Sequence, residues 1–368
     1  MPSRTSRVAA IGVVLALLAS GCRSHSAHAR MVPVDFIAPN AAHLLHGRAV
    51  AVSLRELHNN EDIWLLTHGR LVNVSEKVRI ATGGDTCYGS DYGGGQGPCY
   101  EVAAPFSLSP DGTHIAFFLF DTSGAPDATP PALIVSRADG SNPRRVVGLR
   151  LCSICGVSTP SWDTNGRSFV VATERFPGTD SASITEIYRI GIRSARAMLL
   201  SLRGARTYGE DEPVVSPGGN AIAFLRNATR GPWSRVAAPP AYVYVMRANG
   251  SGRRRLPLPR RAYSSTSYWG HNALWWSGGA TICAGLSADT YCLDLRTGKV
   301  IHLRHWPEAS YSGLSADGAL AIDRQKARRG WAVLIGPVDP TVVAKFVPLL
   351  ISKPARQDPF VEFSISGR

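Results

Sequence analysis

Lysine is nearly missing from this chain: among 40 basic residues only Lys77, Lys299, Lys326, Lys345 and Lys353 are lysines, and arginine supplies the rest. Acidic residues are also short, 27 against those 40, which leaves a formal net charge of +13. Such a surface favours anionic neighbours without naming one. Cysteine is sparse, with seven in 368 residues, too few for a disulfide scaffold. A hydrophobic share of 44% excludes a disordered tail, and the lack of a useful helical period after residue 40 excludes a coiled coil. What the chain has in quantity is Gly, 36 residues, and Pro, 25, the mark of a globular protein rich in turns.

The N-terminus reads as an address. Arg4 and Arg7 precede an apolar run from Val8 to Ala19, followed by small residues, the layout of a secretory signal and too short for a comfortable membrane span. The run ends Leu18-Ala19-Ser20-Gly21-Cys22, which resembles the bacterial lipobox, although Ala19 stands where leucine is preferred. Residues 1–21 are therefore expected to be removed and Cys22 to be acylated. Residues 22–40 carry Ser, His, Ala and Pro without periodicity and read as a tether, with the folded domain over 41–368.

Six cysteines remain in three close pairs, which in an exported protein predicts disulfides. Cys283 and Cys292 flank a short turn and can face each other across a hairpin; Cys87 and Cys99 close a Gly/Tyr-rich loop. Cys152 and Cys155 form a Cys-x-x-Cys, but Pro160 and Trp162 follow with no helical pattern, so a structural pair is expected rather than a redox centre. No second Cys-x-x-Cys or histidine pair sits at zinc-ligand spacing, and neither metal nor cofactor is expected.

An internal repeat organises the rest. Phe106-Ser107-Leu108-Ser109-Pro110-Asp111-Gly112 leads into His114-Ile115-Ala116-Phe117, and Val214-Val215-Ser216-Pro217-Gly218-Gly219 leads into Ala221-Ile222-Ala223-Phe224. Worn copies start at Ser161, Trp275 and Leu314, and an earlier one at Leu45 keeps only the strand. Pro presets the first corner, Asp caps the turn, and Gly takes the positive-φ position that closes a hairpin. Further apolar runs, such as Ala132–Ser136 and Tyr242–Met246, end in turns before Arg144-Arg145 and Arg254-Arg255. Four strands per unit, repeated six times, predict an all-β, six-bladed propeller of four-stranded antiparallel blades. The C-terminal Pro359–Ile365 alternates like a strand and can pair with the first blade to close the ring.

The Ser-Pro-Asp-Gly-x-x-Ile-Ala-Phe turn, followed by x-Asp-Gly and paired arginines, resembles the TolB-type, WD-like β-propeller repeat over about residues 41–350. The resemblance implies a non-catalytic protein of the bacterial envelope. TolB proteins add an N-terminal α/β domain that docks other envelope proteins; here a lipid anchor is expected in its place. The same propeller is similar to the regulatory domain of prolyl-oligopeptidase-like enzymes, but the Gly-x-Ser-x-Gly elbow they need is missing. The sialidase Asp-box also differs from Ser109–Gly112, where Gly follows Asp directly.

Two surfaces stand out. Arg144, Arg145, Arg253, Arg254 and Arg255 follow equivalent turns, so their charges are expected to sum into a rim that costs the fold little to lose. Tyr263, Tyr268 and Trp269, near Trp275 and Trp276, form a loop suited to an interface, with one of the latter tryptophans expected in the core. Glu210, Asp211 and Glu212 read as a solvated acidic loop rather than a cation site at the channel mouth. The expected function is binding of an envelope protein or anionic envelope surface, with no nucleic acid; the alternative is a lyase or glycan hydrolase working in the channel.

Overall fold

The structure is a computed structural model, and it describes residues 34–37, 45, 47–55, 61–67, 70–82, 100–121, 131–149, 151, 157–175, 184–201, 208–228, 241–259, 274–277, 279–286, 289–303, 313–315, 320–327, 330–337, 347–352 and 360–366. In chain order, β1 (Val34–Ile37) precedes β2 (Val50–Arg55), β3 (Glu61–Thr67), β4 (Arg70–Asn73) and a helix, α1 (Val74–Thr82). Next come β5 (Tyr100–Leu108), β6 (His114–Asp121), β7 (Ala132–Arg137) and β8 (Arg144–Arg145). A third group is β9 (Ser161–Trp162), β10 (Ser168–Arg175), β11 (Ile184–Gly191) and β12 (Arg196–Leu199), and a fourth is β13 (Tyr208–Val215), β14 (Ala221–Ala228), β15 (Ala241–Arg247) and β16 (Arg254–Arg255). The last are β17 (Leu274–Ser277), β18 (Thr281–Leu286), β19 (Asp289–Asp294), β20 (Val300–Leu303), β21 (Gly313–Leu314), β22 (Leu320–Ala327), β23 (Gly330–Pro337), β24 (Val347–Ser352) and β25 (Phe360–Ile365).

Among the described residues these strands form six antiparallel sheets. The second to fifth sheets are β5–β8, β9–β12, β13–β16 and β17–β20, each paired in simple chain order. The first has the order β25-β2-β3-β4, so the expected C-terminal strand does pair with the first unit, Val50 opposite Ile365 and Val52 opposite Phe363. The sixth departs from the four-strand expectation: β1 adds to the outer side of β24, giving five strands. Val34–Ile37, within the stretch 22–40 expected as a tether, is strand and belongs to the unit that runs from Val34 to Arg368.

The apolar runs are continuous because each sheet packs on both faces, and the two-residue period of a strand sends alternate side chains to different cores. On β6, Ile115, Phe117 and Leu119 pack with Ala51, Ile63 and Leu65 of the first sheet. Its intervening Ala116 and Phe118 pack with Trp162, Phe169 and Val171 of the third. On β10 the alternates Val170 and Ala172 meet Ile222 and Phe224 of the fourth sheet. The alternates of β14, Ala223 and Leu225, then meet Trp276 and Ile282 of the fifth.

Side-chain hydrogen bonds stitch neighbouring inner strands in one register. The Leu108 amide donates to Ser364 Oγ (2.8 Å), and the Val215 amide to Ser161 Oγ (3.0 Å). At the alternate seams an indole serves instead, Trp162 Nε1 donating to Ser107 O (3.2 Å) and Trp276 Nε1 to Val214 O (3.1 Å). Each bond satisfies a polar group that sheet stacking would otherwise bury alone.

Helix α1 was not expected, and its cause is local. Asn73 caps it, its Oδ1 accepting from the Glu76 amide at 2.9 Å, while Val74 and Val78, one turn apart, bury against the first and second sheets. Arg79 anchors the last turn through Asp62, 2.8 Å from Nη1, and Asn73 Nδ2 donates to the same carboxylate at 2.9 Å. Nine residues with two buried apolar positions are too brief for a periodicity signal.

Candidate functional site

In a four-stranded antiparallel sheet the first and third turns lie on one edge. Here that edge carries the short, well-formed turns. In the second sheet the Ser109 amide donates to His114 O and the His114 amide to Ser109 Oγ, both at 2.9 Å, with Asp111 Oδ1 accepting from Ser109 Oγ (2.6 Å) and the Thr113 amide (3.1 Å). Gly112 closes the turn at φ 67°. The fourth sheet repeats it with Ser216, Asn220 and Gly219, the last at φ 69°. Neighbouring turns touch: a Cβ at Gly166 would sit 3.5 Å from the Asp111 carboxylate, and one at Gly219 would sit 3.4 Å from Thr164 Oγ1. The turns therefore form one continuous edge.

That edge is basic. Arg137, Arg145, Arg167, Arg193, Arg196, Arg247, Arg254 and Arg255 are exposed along it. Asp139 is engaged within its own turn and by Lys77 Nζ at 3.0 Å. Partial burial would raise the Asp139 pKa, but bonds from the Ser141 hydroxyl and amide and from Lys77 outweigh it and lower it to about 2. His114 senses the same field: burial, reinforced by Arg144 and Arg137 against the pull of Asp111, holds its pKa below the ordinary imidazole value.

The expected rim residues divide into two kinds. Arg145, Arg254 and Arg255 are exposed, and Arg255 lies over the Tyr242 ring, 3.7 Å from its centroid. Arg144 reaches into the third sheet, donating to Arg193 O (3.2 Å) and Ile192 O. Arg253 corrects the expectation that these turn charges matter little to folding. Its guanidinium donates to Leu200 O of the third sheet, to Gly250 O and, through Nε, to Glu210 Oε1 at 3.3 Å.

Glu210 is likewise no part of a solvated loop. It sits on β13 with its side chain 1% exposed, accepting from Arg226, Arg253 and, at 2.7 Å, the Ser201 hydroxyl. Asp211 and Glu212 fall at the bulge of that strand, and Glu212 adopts φ 48°. Two cations offset the burial of one carboxylate, an arrangement costly to break from either side. Among the described residues, no three His, Cys, Asp or Glu side chains gather as a metal-binding group.

Cys283 and Cys292 are directly opposed on β18 and β19 and joined as a disulfide, both buried. Trp276 is the core member of its pair, 4% exposed. Cys22, Cys87, Cys99, Cys152, Cys155, Tyr263, Tyr268 and Trp269 lie outside the described residues, as does the side chain of Trp275. Sequence reasoning missed one pair on the basic edge, Asp163 and Arg189, whose Nη2 donates to Asp163 Oδ1 at 3.2 Å. The signal was present in the worn copy at Ser161, where Asp163 replaces the serine of the intact turns.

Comparison with solved structures places this architecture. TolB from Acinetobacter baumannii is similar over 87% of this chain and 67% of its own, with a TM-score of 0.51 and 13% identity. The fold is a TolB-like β-propeller. Other similar structures are the tricorn protease (TM-score 0.48, 10% identity, 83% of this chain and 30% of that one) and an oligogalacturonate lyase in complex with manganese (0.40, 13%, 79% and 71%). No family model and no curated protein matches the sequence. Among the described residues no helix is long and apolar enough to cross a membrane.

Proposed function

We propose that this TolB-like propeller, six-bladed and anchored outside the cytoplasm by lipid on Cys22, binds an acidic protein of the cell envelope and catalyses nothing. The observation that carries the reading is the basic edge: contiguous short turns present Arg145, Arg254 and Arg255 to solvent while the neighbouring Arg144 and Arg253 brace the sheets beneath them. Arginine suits this work because its planar fork holds a carboxylate by two parallel bonds, and opposed charge speeds encounter. A photo-cross-linking residue at Arg254 in the full-length lipoprotein is expected to trap one envelope protein, with yield falling as salt rises. No adduct, or one unaffected by salt, would overturn the reading. Anchoring is tested separately: Cys22→Ser should release the protein from membranes, and an unmodified mature N-terminus starting elsewhere would refute the lipid.

A further inference from the structure

The third sheet breaks the repeat at three positions, and the breaks meet in one place. The residue that ends the innermost strand is serine in the other five sheets, Ser109, Ser216, Ser277, Ser315 and, where the two ends of the chain pair, Ser366, but Asp163 here. The residues opposite Ala51, Ala116, Ala223, Cys283 and Ile322, which share one register, are buried and apolar in those sheets: Leu65, Val135, Val245, Cys292 and Ile335. Their counterpart here is Arg189, opposite Val170. At the end of that strand, where the second and fourth sheets carry Arg137 and Arg247, the third carries Gly191, paired with Ser168 on one side and Arg196 on the other.

Two of the changed residues, Arg189 and Gly191, line an open cleft of about 580 Å³ together with Ser168, Ser194, Arg196 and Met198. Gly191 is part of its lining, and a Cβ there would crowd Ser194 Oγ at 3.2 Å. Asp163 fixes Arg189 and is itself held by the Ser168 hydroxyl. Arg189 Nε, like Arg79 Nε, is buried without a hydrogen-bond partner, a cost that the apolar residues of the sister sheets avoid. A charged side chain at a register position that is apolar in every sister sheet breaks the local rule, and such breaks gather at functional sites. Arg193 and Arg196 are exposed beside it, so the single acid, already paired, leaves the cavity positive. Met198, 54% exposed, gives it an apolar wall.

The geometry points to a recognition pocket for a carboxylate carried on an apolar stem, the side chain of a glutamate flanked by an aliphatic residue in the protein partner. The pocket rests on the protein-binding reading and names the feature it selects. An aliphatic wall beside an arginine fork suits such a side chain better than a hydrated inorganic anion.

The test uses the full-length protein and the peptides acetyl-Leu-Glu-Leu-amide and acetyl-Leu-Gln-Leu-amide, with inorganic phosphate alongside, followed by the arginine Nε–H resonances. The glutamate peptide is expected to shift the Arg189 signal saturably and to bind at least fivefold more tightly than the glutamine peptide. The double variant Asp163→Ser, Arg189→Val restores the residues of the sister sheets, so it should keep its thermal midpoint and lose that preference. Arg196→Gln, on the exposed rim, should weaken binding severalfold without touching the buried pair. Equal binding of both peptides, an unaltered preference in both variants, or binding of phosphate alone would overturn the pocket. If the pocket fails while a cross-linker at Arg254 still traps an envelope protein, the protein-binding reading stands; if neither binds, both fall.

Discussion

Two arginine clusters follow equivalent turns in the second and fourth sheets, and in each the first arginine behaves unlike those after it. Arg144 and Arg253 both reach into the third sheet from opposite sides, to the carbonyls of Ile192 and Arg193 and to that of Leu200. Arg145, Arg254 and Arg255 stay at the surface. The difference teaches that residue type does not decide the role. Arg253 precedes β16, whereas Arg144 opens β8 at the register position that Arg254 holds in the fourth sheet, opposite Val135 as Arg254 is opposite Val245. What decides is whether a carbonyl of the third sheet lies within reach. The same sequence run thus braces the ring and charges its edge.

Variants that remove a brace should act on folding, and the largest effect is expected where the ring itself is braced. Deleting Phe360–Arg368 removes β25, and with it Ser364 and Ser366, whose hydroxyls accept from Leu108 and Ala49 at 2.8 and 2.9 Å. The shortened chain should lose its cooperative thermal transition in calorimetry; retention of that transition would mean the closure is ornamental. Next, Arg253→Ser leaves Glu210 buried with one cation fewer and should cost about 3 kcal/mol in denaturant unfolding. Ser366→Ala strands one backbone amide and should cost about 1–2 kcal/mol.

A smaller effect follows from pH. Asp139 has its pKa lowered to about 2 by Ser141 and Lys77, so the stability it contributes is present above about pH 4, the unfolded carboxylate value, and fades as pH falls toward 2. Asp139→Asn should remove that part of the acid slope and lower stability at neutral pH by the same amount, a modest one because the pair with Lys77 is exposed. An unaltered slope would show that the carboxylate is not held by its turn.

How far the sequence foretold this is clearest residue by residue. The Ser109–Gly112 turn was legible because its chemistry is local: serine, aspartate and glycine each meet partners within five residues. The pairing of β25 was legible from alternation alone. Helix α1 was not, because nine residues with two buried valines leave no periodic trace. Nor was β1, whose four residues gain their strand only by adding to β24. Arg253 turned inward because of Glu210, 43 residues earlier, and Arg189 stands out only once register aligns it with Val135 and Val245. Long-range partners and register are what a single sequence conceals.

The smallest folding effect belongs to the exposed arginines, and there binding should respond instead. Arg254→Ser with Arg255→Ser removes one cation–π contact and should shift stability by less than about 1 kcal/mol. The most direct measurement sets that double variant beside Arg253→Ser, recording for each the thermal midpoint and the affinity for poly-L-glutamate across a salt series. The account predicts that Arg253→Ser lowers the midpoint, and that the surface pair keeps its midpoint but binds more weakly with a shallower salt dependence. A surface pair that melts early yet binds as before, or an Arg253→Ser protein with an unchanged midpoint, would contradict the division of labour between bracing and presented arginines.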